Sequence, residues 1–273
     1  MHGTPTILGA RYDASSSFLR GPADAPAAIR KELRSDAGNM WSEQLVDIGA
    51  DGAFADDGDV ALGDAPRSAI EAAVEAILAR GARPIVLGGD HSITYPILRA
   101  IRKLHGALTI LHLDAHNDLY DIFEGDRFSH ACPFARIMEE GLCDQLVQVG
   151  IRTMSGHQRE QADRFGVDVV DMRRWVAGDR YTLRHPVYIS IDVDVLDPAF
   201  APGVSHREAG GLSVREVLTM IQGIDRSLVG GDVVEYNPRR DLEDVTAPVC
   251  AKFVKELIAA MHLHPVAAGG DLG

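Results

Sequence analysis

Residues 111–120 read LHLDAHNDLY. Leu111, Leu113 and Ala115 alternate with His112, Asp114 and His116, so an extended strand buries the first set and aligns the second on its opposite face. Asp118 continues the polar series, which puts Asp114, His116 and Asp118 at i, i+2 and i+4 where an apolar strand runs out. An ionised Asp taken out of water must be paired or bound to a cation. For this run alone, a hydrogen-bonded polar strand end is the competing reading. A second run, YISIDVDVLDP at 188–198, repeats the pattern, with Ile189, Ile191, Val193 and Val195 on one parity and Ser190, Asp192 and Asp194 on the other. A third, VLGGDHS at 86–92, is an apolar strand that stops at Gly88 and Gly89 and hands over to His91. Each run ends at the carboxyl edge of an expected parallel strand, where open α/β sheets build their sites. Together, His91, Asp114, His116, Asp118, Asp192 and Asp194 carry too much negative charge to gather without cations. Carboxylate oxygens mixed with imidazole suit Mn2+, with Zn2+, Ni2+ or Fe2+ admissible and a thiolate site excluded. Shared carboxylates favour two ions over one, at a spacing of roughly 3.5–4 Å.

The segments GGDHS, DAHND and SIDVDVLDPAFAPG resemble the three signatures of the ureohydrolase family, the arginases and agmatinases. Between them, SSFLRGPADAP, DIFEGDRFSHACPFARIMEEG, QVGIRT, GVSHREAGGLSVREVL and GDVVEYNPRRD resemble the plant-type arginase/agmatinase branch, so the similarity runs from about residue 6 to 260. The resemblance implies two Mn2+ per chain, one held by His91, Asp114, Asp118 and Asp192, the other by His116, Asp114, Asp192 and Asp194. It implies hydrolysis of the guanidino group of a small cationic substrate with release of urea. L-arginine (giving ornithine) leads and agmatine (giving putrescine) follows closely, with guanidinobutyrate and similar guanidino acids behind. A zinc deacetylase of related architecture is the rival from another class.

By the same resemblance His130 moves protons between bulk water and the site, a task suited to imidazole near neutral pH; a helix cap is its alternative role. Glu235 accepts hydrogen bonds from the guanidinium, a planar fork of donors that a carboxylate matches; its alternative is an ion pair with Arg239 or Arg240. Asn117 is a further substrate contact, Asp118 accepts a hydrogen bond from the attacking water, and the assembly is a homo-trimer or homo-hexamer. The acidic residue that animal-type arginases place after their GxR segment has no clear counterpart in TMSGHQREQ. Arg127 either pairs with a substrate carboxylate or is plain surface. Ala209 stands where the plant-type branch commonly has Pro.

The elements that must position these groups come from the rest of the chain. Its 273 residues, 46% hydrophobic, contain no repeat, low-complexity segment or Pro/Ser-rich linker, and read as one domain over 1–273 with a flexible tail at 262–273. A formal charge of −13 argues against nucleic acid and anionic membranes as partners and favours a cationic substrate. No signal-peptide core or spanning apolar stretch occurs, which points to a soluble cytoplasmic protein. Cys132, Cys143 and Cys250, without CxxC spacing, fit reduced thiols, Cys132 as a small buried filler.

Strands are expected near 5–9, 45–48, 83–87, 108–113, 145–149, 167–170, 187–192 and 229–234, with helices between them. Asp24 with Pro26 opens one helix, Asp64 with Pro66 opens another that Gly81 closes, Ser129-His130 starts a third, and residues 244–261 form the last. The alternation predicts an α/β, three-layer α/β/α fold with a mostly parallel, about eight-stranded sheet, arginase-like. Residues 51–59, 119–130 and 196–211 read as loops, the last two at the mouth of the site. His206 and Glu208 in that mouth touch substrate, a neighbouring subunit or only solvent.

Overall fold

The computed structural model describes residues 3–265. Eight strands, β1 (Pro5–Gly9), β2 (Ala55–Asp59), β3 (Arg83–Leu87), β4 (Thr109–Leu113), β5 (Gln145–Val149), β6 (Asp168–Val170), β7 (Val187–Asp192) and β8 (Leu228–Val234), form one sheet in the order β2-β1-β3-β8-β7-β4-β5-β6. Every pairing is parallel. Parallel neighbours need a crossover, and helices α1 (Ala25–Leu33), α2 (Pro66–Ala79), α3 (Thr94–Leu104), α4 (Pro133–Glu139), α5 (Gly156–Phe165), α6 (Met172–Val176), α7 (Val214–Gln222) and α8 (Thr246–Leu263) fall between or after the strands.

Strand parity divides the core into two layers. Ile85, Leu87, Leu111, Leu113, Ile189, Ile191 and Val233 pack on one face with residues of α1, α7 and α8. Val86, Ile110, Tyr188, Val229 and Val234 pack on the other with residues of α2, α3 and α4. Burial on both faces is what near-continuous apolar strands encode.

The four central strands end nearly flush. Leu87 of β3 is level with Val233 of β8, Val233 with Ile191 of β7, and Ile191 with Leu113 of β4. The residues that follow those positions therefore emerge side by side along one edge of the sheet. At Gly89 the backbone leaves no space for a side chain, since a Cβ there would sit 1.7 Å from the Tyr12 carbonyl oxygen. That close approach lets Asp90 N–H bond to Tyr12 O and ties the 10–17 segment to the site.

Four expectations need correction. No strand forms at 45–48, where the chain makes only an isolated bridge between Trp41 and Asp47 and Leu45 turns outward with φ 62°. The missing edge strand is β2, inside the stretch read as a solvated loop. Its sequence ADDGD has poor strand propensity; Arg30 on α1 supplies what the side chains lack, bonding Asp56, Asp59 and the Gly58 carbonyl. The helix starts also shift. The third helix is capped at Cys132, after His130, and the last runs to Leu263, into the segment assigned to the tail. Residues 266–273, the remainder of that tail, lie outside the described residues. Among the described residues no helix is long and apolar enough to cross a membrane.

Candidate metal centre and substrate pocket

Strand alternation delivers only the first acid of each motif. β4 ends at Leu113, and Asp114 turns the chain by accepting the His116 N–H on Oδ1 at 2.6 Å. Asp118 then sits at φ 48°, in the left-handed region. β7 ends at Asp192, whose Oδ1 accepts the Asp194 N–H at 2.8 Å and caps a 3-10 turn at Val193–Val195. Asx-type turns, in which the acid's own side chain folds the backbone, bring His116, Asp118 and Asp194 back over the strand ends.

The six predicted residues meet in one cluster. His91 Nδ1 lies 3.2 Å from Asp114 Oδ2, 3.2 Å from Asp118 Oδ2 and 3.1 Å from Asp192 Oδ2. His116 Nδ1 lies 3.1 Å from Asp194 Oδ2 and 3.5 Å from Asp114 Oδ1. Asp114 faces both histidines, one with each oxygen. All are buried except His116, which is partly open to the cavity.

Electrostatics give the cluster one demand, positive charge. Burial disfavours the ionised form of Asp192, and Asp194 and Asp114 beside it raise its pKa well above the carboxylate range. Burial works against a charged His116 as well, yet Asp194 and Asp114 outweigh it and lift the ring to about 12. His91 rises in the same way through Asp114, Asp118 and Asp192.

The donor set fits divalent cations. His91 Nδ1 is fully buried and makes no properly aligned hydrogen bond, although three carboxylate oxygens surround it. A lone pair ringed by hard oxygens is a ligand geometry, and unpaired buried nitrogens are otherwise rare. His91, His112 and Asp114 form one group able to hold an ion, and Asp114, His116 and Asp194 another. His112 is better read as support. Its Nε2 meets Asp114 Oδ2 at 2.8 Å and its Nδ1 meets the Gln148 amide at 3.0 Å, so both ring nitrogens are engaged.

Beside the cluster lies a cavity of about 370 Å³, bordered by His116, Asp118, Asp192, Asp194, His130 and Glu235 at its inner end. Glu235 follows β8 at φ 64°, a costly conformation for a non-glycine residue that places its carboxylate at the sheet edge. Its Oε1 accepts the His91 N–H at 2.9 Å and faces His130 Nδ1 at 2.8 Å. Neither arginine offered as an alternative partner takes it. Arg239 pairs with Asp24, and Arg240 makes no ion pair among the described residues. His130 is no helix cap; its Nε2 lies 3.2 Å from the Ser17 backbone nitrogen and 2.8 Å from the Ser17 hydroxyl.

The outer wall is Tyr120, Phe123, Thr153, Met154, Ser155, Gln158 and His206. Arg127 is not part of it, being paired with Asp121 and Glu139. Asn117 does not line this cavity either. It lies fully buried behind it, donating to the Gln158 carbonyl and accepting from Gln148 on its own carbonyl. His206 packs near His130, His116 and Phe18, with centroid distances of 5.2, 5.9 and 5.7 Å. Glu208 lies outside the main cavity and uses its backbone carbonyl to bind Arg152. Cys132 is buried and stays a thiol, its pKa pushed up to about 12 by burial. Ser17 had no signal beyond its place in a family-like segment.

Four parallel strands ending side by side under an acid-and-imidazole cage, with a cavity large enough for a small-molecule substrate beside it, fit a metal-dependent hydrolase of the α/β class. The arginase family profile matches residues 4–260, and the chain belongs to this family of ureohydrolases. It is 46% identical to arginase 1, mitochondrial, of Arabidopsis thaliana across 93% of this chain and 80% of that one. The solved arginase from Medicago truncatula superposes with a TM-score of 0.91 at 44% identity, covering 95% of this chain and 88% of that one. A hypothetical agmatinase from Burkholderia thailandensis aligns with a TM-score of 0.83 at 31% identity, over 94% and 85% of the two chains. Family membership removes the deacetylase reading.

Proposed function

We propose that the protein hydrolyses L-arginine to ornithine and urea at this site, with Mn2+ as its metal. The observation that carries the reading is Glu235, a buried carboxylate held at the cavity end beside the acid cage. Its Oε1 is taken by His91 N–H and His130, while Oε2 makes no hydrogen bond among the described residues and is the acceptor for a guanidinium. His91, Asp114, Asp118 and Asp192 would hold one ion; His116, Asp114, Asp192 and Asp194 the other. When bound, such a pair supplies water activated for attack near neutral pH.

The chain's own groups do the rest. Glu235 fixes the plane of the guanidinium, and Asp118 at the cavity edge accepts a hydrogen bond from the attacking water. As the bond from the guanidino carbon to the chain nitrogen breaks, that nitrogen must gain a proton. His130, which lines the cavity with Nε2 2.8 Å from the Ser17 hydroxyl, takes the role of general acid and relay. The relatives named as arginases at 45–46% identity support arginine over other guanidino compounds. Agmatine is the second reading. Beyond the residues of the inner end, the cavity wall carries no formally charged side chain among the described residues that would pair with a substrate carboxylate.

Urea release from arginine, agmatine, guanidinobutyrate and guanidine by Mn2+-loaded protein tests the proposal. Arginine should give the highest kcat/KM, and no urea from any of the four would end it. We further propose a homo-trimer or homo-hexamer, for which exposed Phe18, Phe200, Leu242 and Val245 supply apolar surface. Sedimentation equilibrium tests that, a monomer being the contrary result. A cytoplasmic location is proposed on the three free cysteines, which suit a reducing compartment.

A further inference from the structure

Directly beneath the cage a polar row crosses the sheet. Asp232 of β8 is level with Ser190 of β7, Ser190 with His112 of β4, and His112 with Gln148 of β5. All four are completely buried, among strands whose interior residues are mostly apolar. A buried carboxylate without a cation is costly, and among the described residues no basic group pairs with Asp232. Instead it accepts three hydroxyl protons: Ser190 on Oδ1 at 2.6 Å, and Tyr188 at 2.6 Å and Thr94 at 2.8 Å on Oδ2.

Donor bookkeeping then determines the tautomers. Ser190 has one proton and gives it to Asp232, so toward His91 Nε2, 2.9 Å away, it has only lone pairs to offer. His91 Nε2 must carry the hydrogen, which leaves the Nδ1 lone pair facing the cage. At the other end Gln148 donates both amide hydrogens, to Asn117 O at 2.7 Å and to His112 Nδ1 at 3.0 Å. His112 Nε2–H therefore donates to Asp114 Oδ2.

We propose that this row is a positioning layer, in which Asp232 acting through Ser190 aims His91, and Gln148 acting through His112 aims Asp114, at the two ion positions. The inference rests on the metal reading of the cage and adds to it residues that touch neither ion nor substrate. Outer partners that orient a ligand typically change metal affinity 10–100-fold when removed.

Nitrogen-15 spectra of the histidine rings and Mn2+ titrations by calorimetry test it together. In the wild type loaded with diamagnetic Cd2+, His91 should carry its one hydrogen on Nε2, and without metal His112 should be the Nε2–H tautomer. Ser190→Ala should weaken one of the two Mn2+ sites 10–100-fold, and Ser190→Thr, which keeps the hydroxyl, should restore it. Tyr188→Phe removes a proton from the same Asp232 without breaking the path to His91, and should lower thermal stability while holding Mn2+ affinity within about three-fold. If the Ser190 variants do not fold, Gln148→Glu serves instead. A carboxylate there must accept from His112 Nδ1, so the ring should change tautomer and Mn2+ binding should weaken. An unprotonated His91 Nε2, or an equal loss of affinity in Tyr188→Phe and Ser190→Ala, would overturn the proposal. Because the His112 tautomer is read in metal-free protein, failure of the row is distinguishable from failure of the metal reading.

Discussion

His130 Nδ1 stands 2.8 Å from Glu235 Oε1 at the inner end of the cavity, and the two residues shift each other's protonation in opposite directions. Burial disfavours the charged ring, but Glu235, then Asp118 and Asp90, outweigh it and lift His130 to about 9. Burial likewise disfavours an ionised Glu235, and His130 overrides it and holds the carboxyl below its usual range. A histidine with a raised folded pKa adds stability that is complete below about pH 6.5, its unfolded value, and is lost as pH rises through about 9. The depressed Glu235 adds stability that is lost as pH falls through its lowered value. In metal-free protein the melting temperature of wild type should therefore exceed that of Glu235→Gln most between about pH 5 and 6.5. The gap should close above pH 9; a gap independent of pH would show that the pair is not ionic.

The same carboxylate is the proposed guanidinium acceptor. Glu235→Gln keeps the size and the bond to His91 N–H but removes the charge, and should lower kcat/KM for arginine at least about 100-fold, near 3 kcal/mol. Two bound Mn2+ should remain by elemental analysis. Retained kcat/KM would move the guanidinium elsewhere.

Asp192 faces His91 with Oδ2 and caps the turn to Asp194 with Oδ1. Asp192→Ala removes a proposed shared ligand and the turn that places its neighbour. Turnover should vanish and bound metal should fall from about two ions per chain to one or none. A fully active variant holding both ions would contradict the assignment.

His206 closes the cavity against His130 and His116 but touches no residue of the cage through a hydrogen bond. His206→Ala should raise KM for arginine about ten-fold and change kcat much less, the signature of lost ground-state binding. An equal fall in kcat would make it part of the chemistry.

Arg30 holds the acidic edge strand. Arg30→Ala should leave kcat and KM within about two-fold while amide exchange across Ala55–Asp59 accelerates, because local opening follows the weakest tertiary ties. Unchanged exchange would show that backbone pairing to β1 suffices by itself.

The members of the cage are written locally, and so the cluster was legible in the chain. Asp114, His116 and Asp118, Asp192 and Asp194, and His91 stand out because acids and imidazoles recur where apolar strands end, and a buried acid must be paired or bound to a cation. Seven of the eight strands follow from apolar runs for the same reason, whereas β2 depends on Arg30, distant in sequence, and its Asp and Gly residues conceal it. Asn117 was expected to meet substrate and lies behind the wall, since one residue of turn decides which way a side chain points. Tertiary structure alone decided that Ser17 faces His130, that Oε1 rather than Oε2 of Glu235 is occupied, and that Asp232, Ser190, His112 and Gln148 form a row. Each of those relationships spans separate strands or loops. Local sequence preference specifies the conformation of a segment, but the register between segments is set by packing the whole sheet at once.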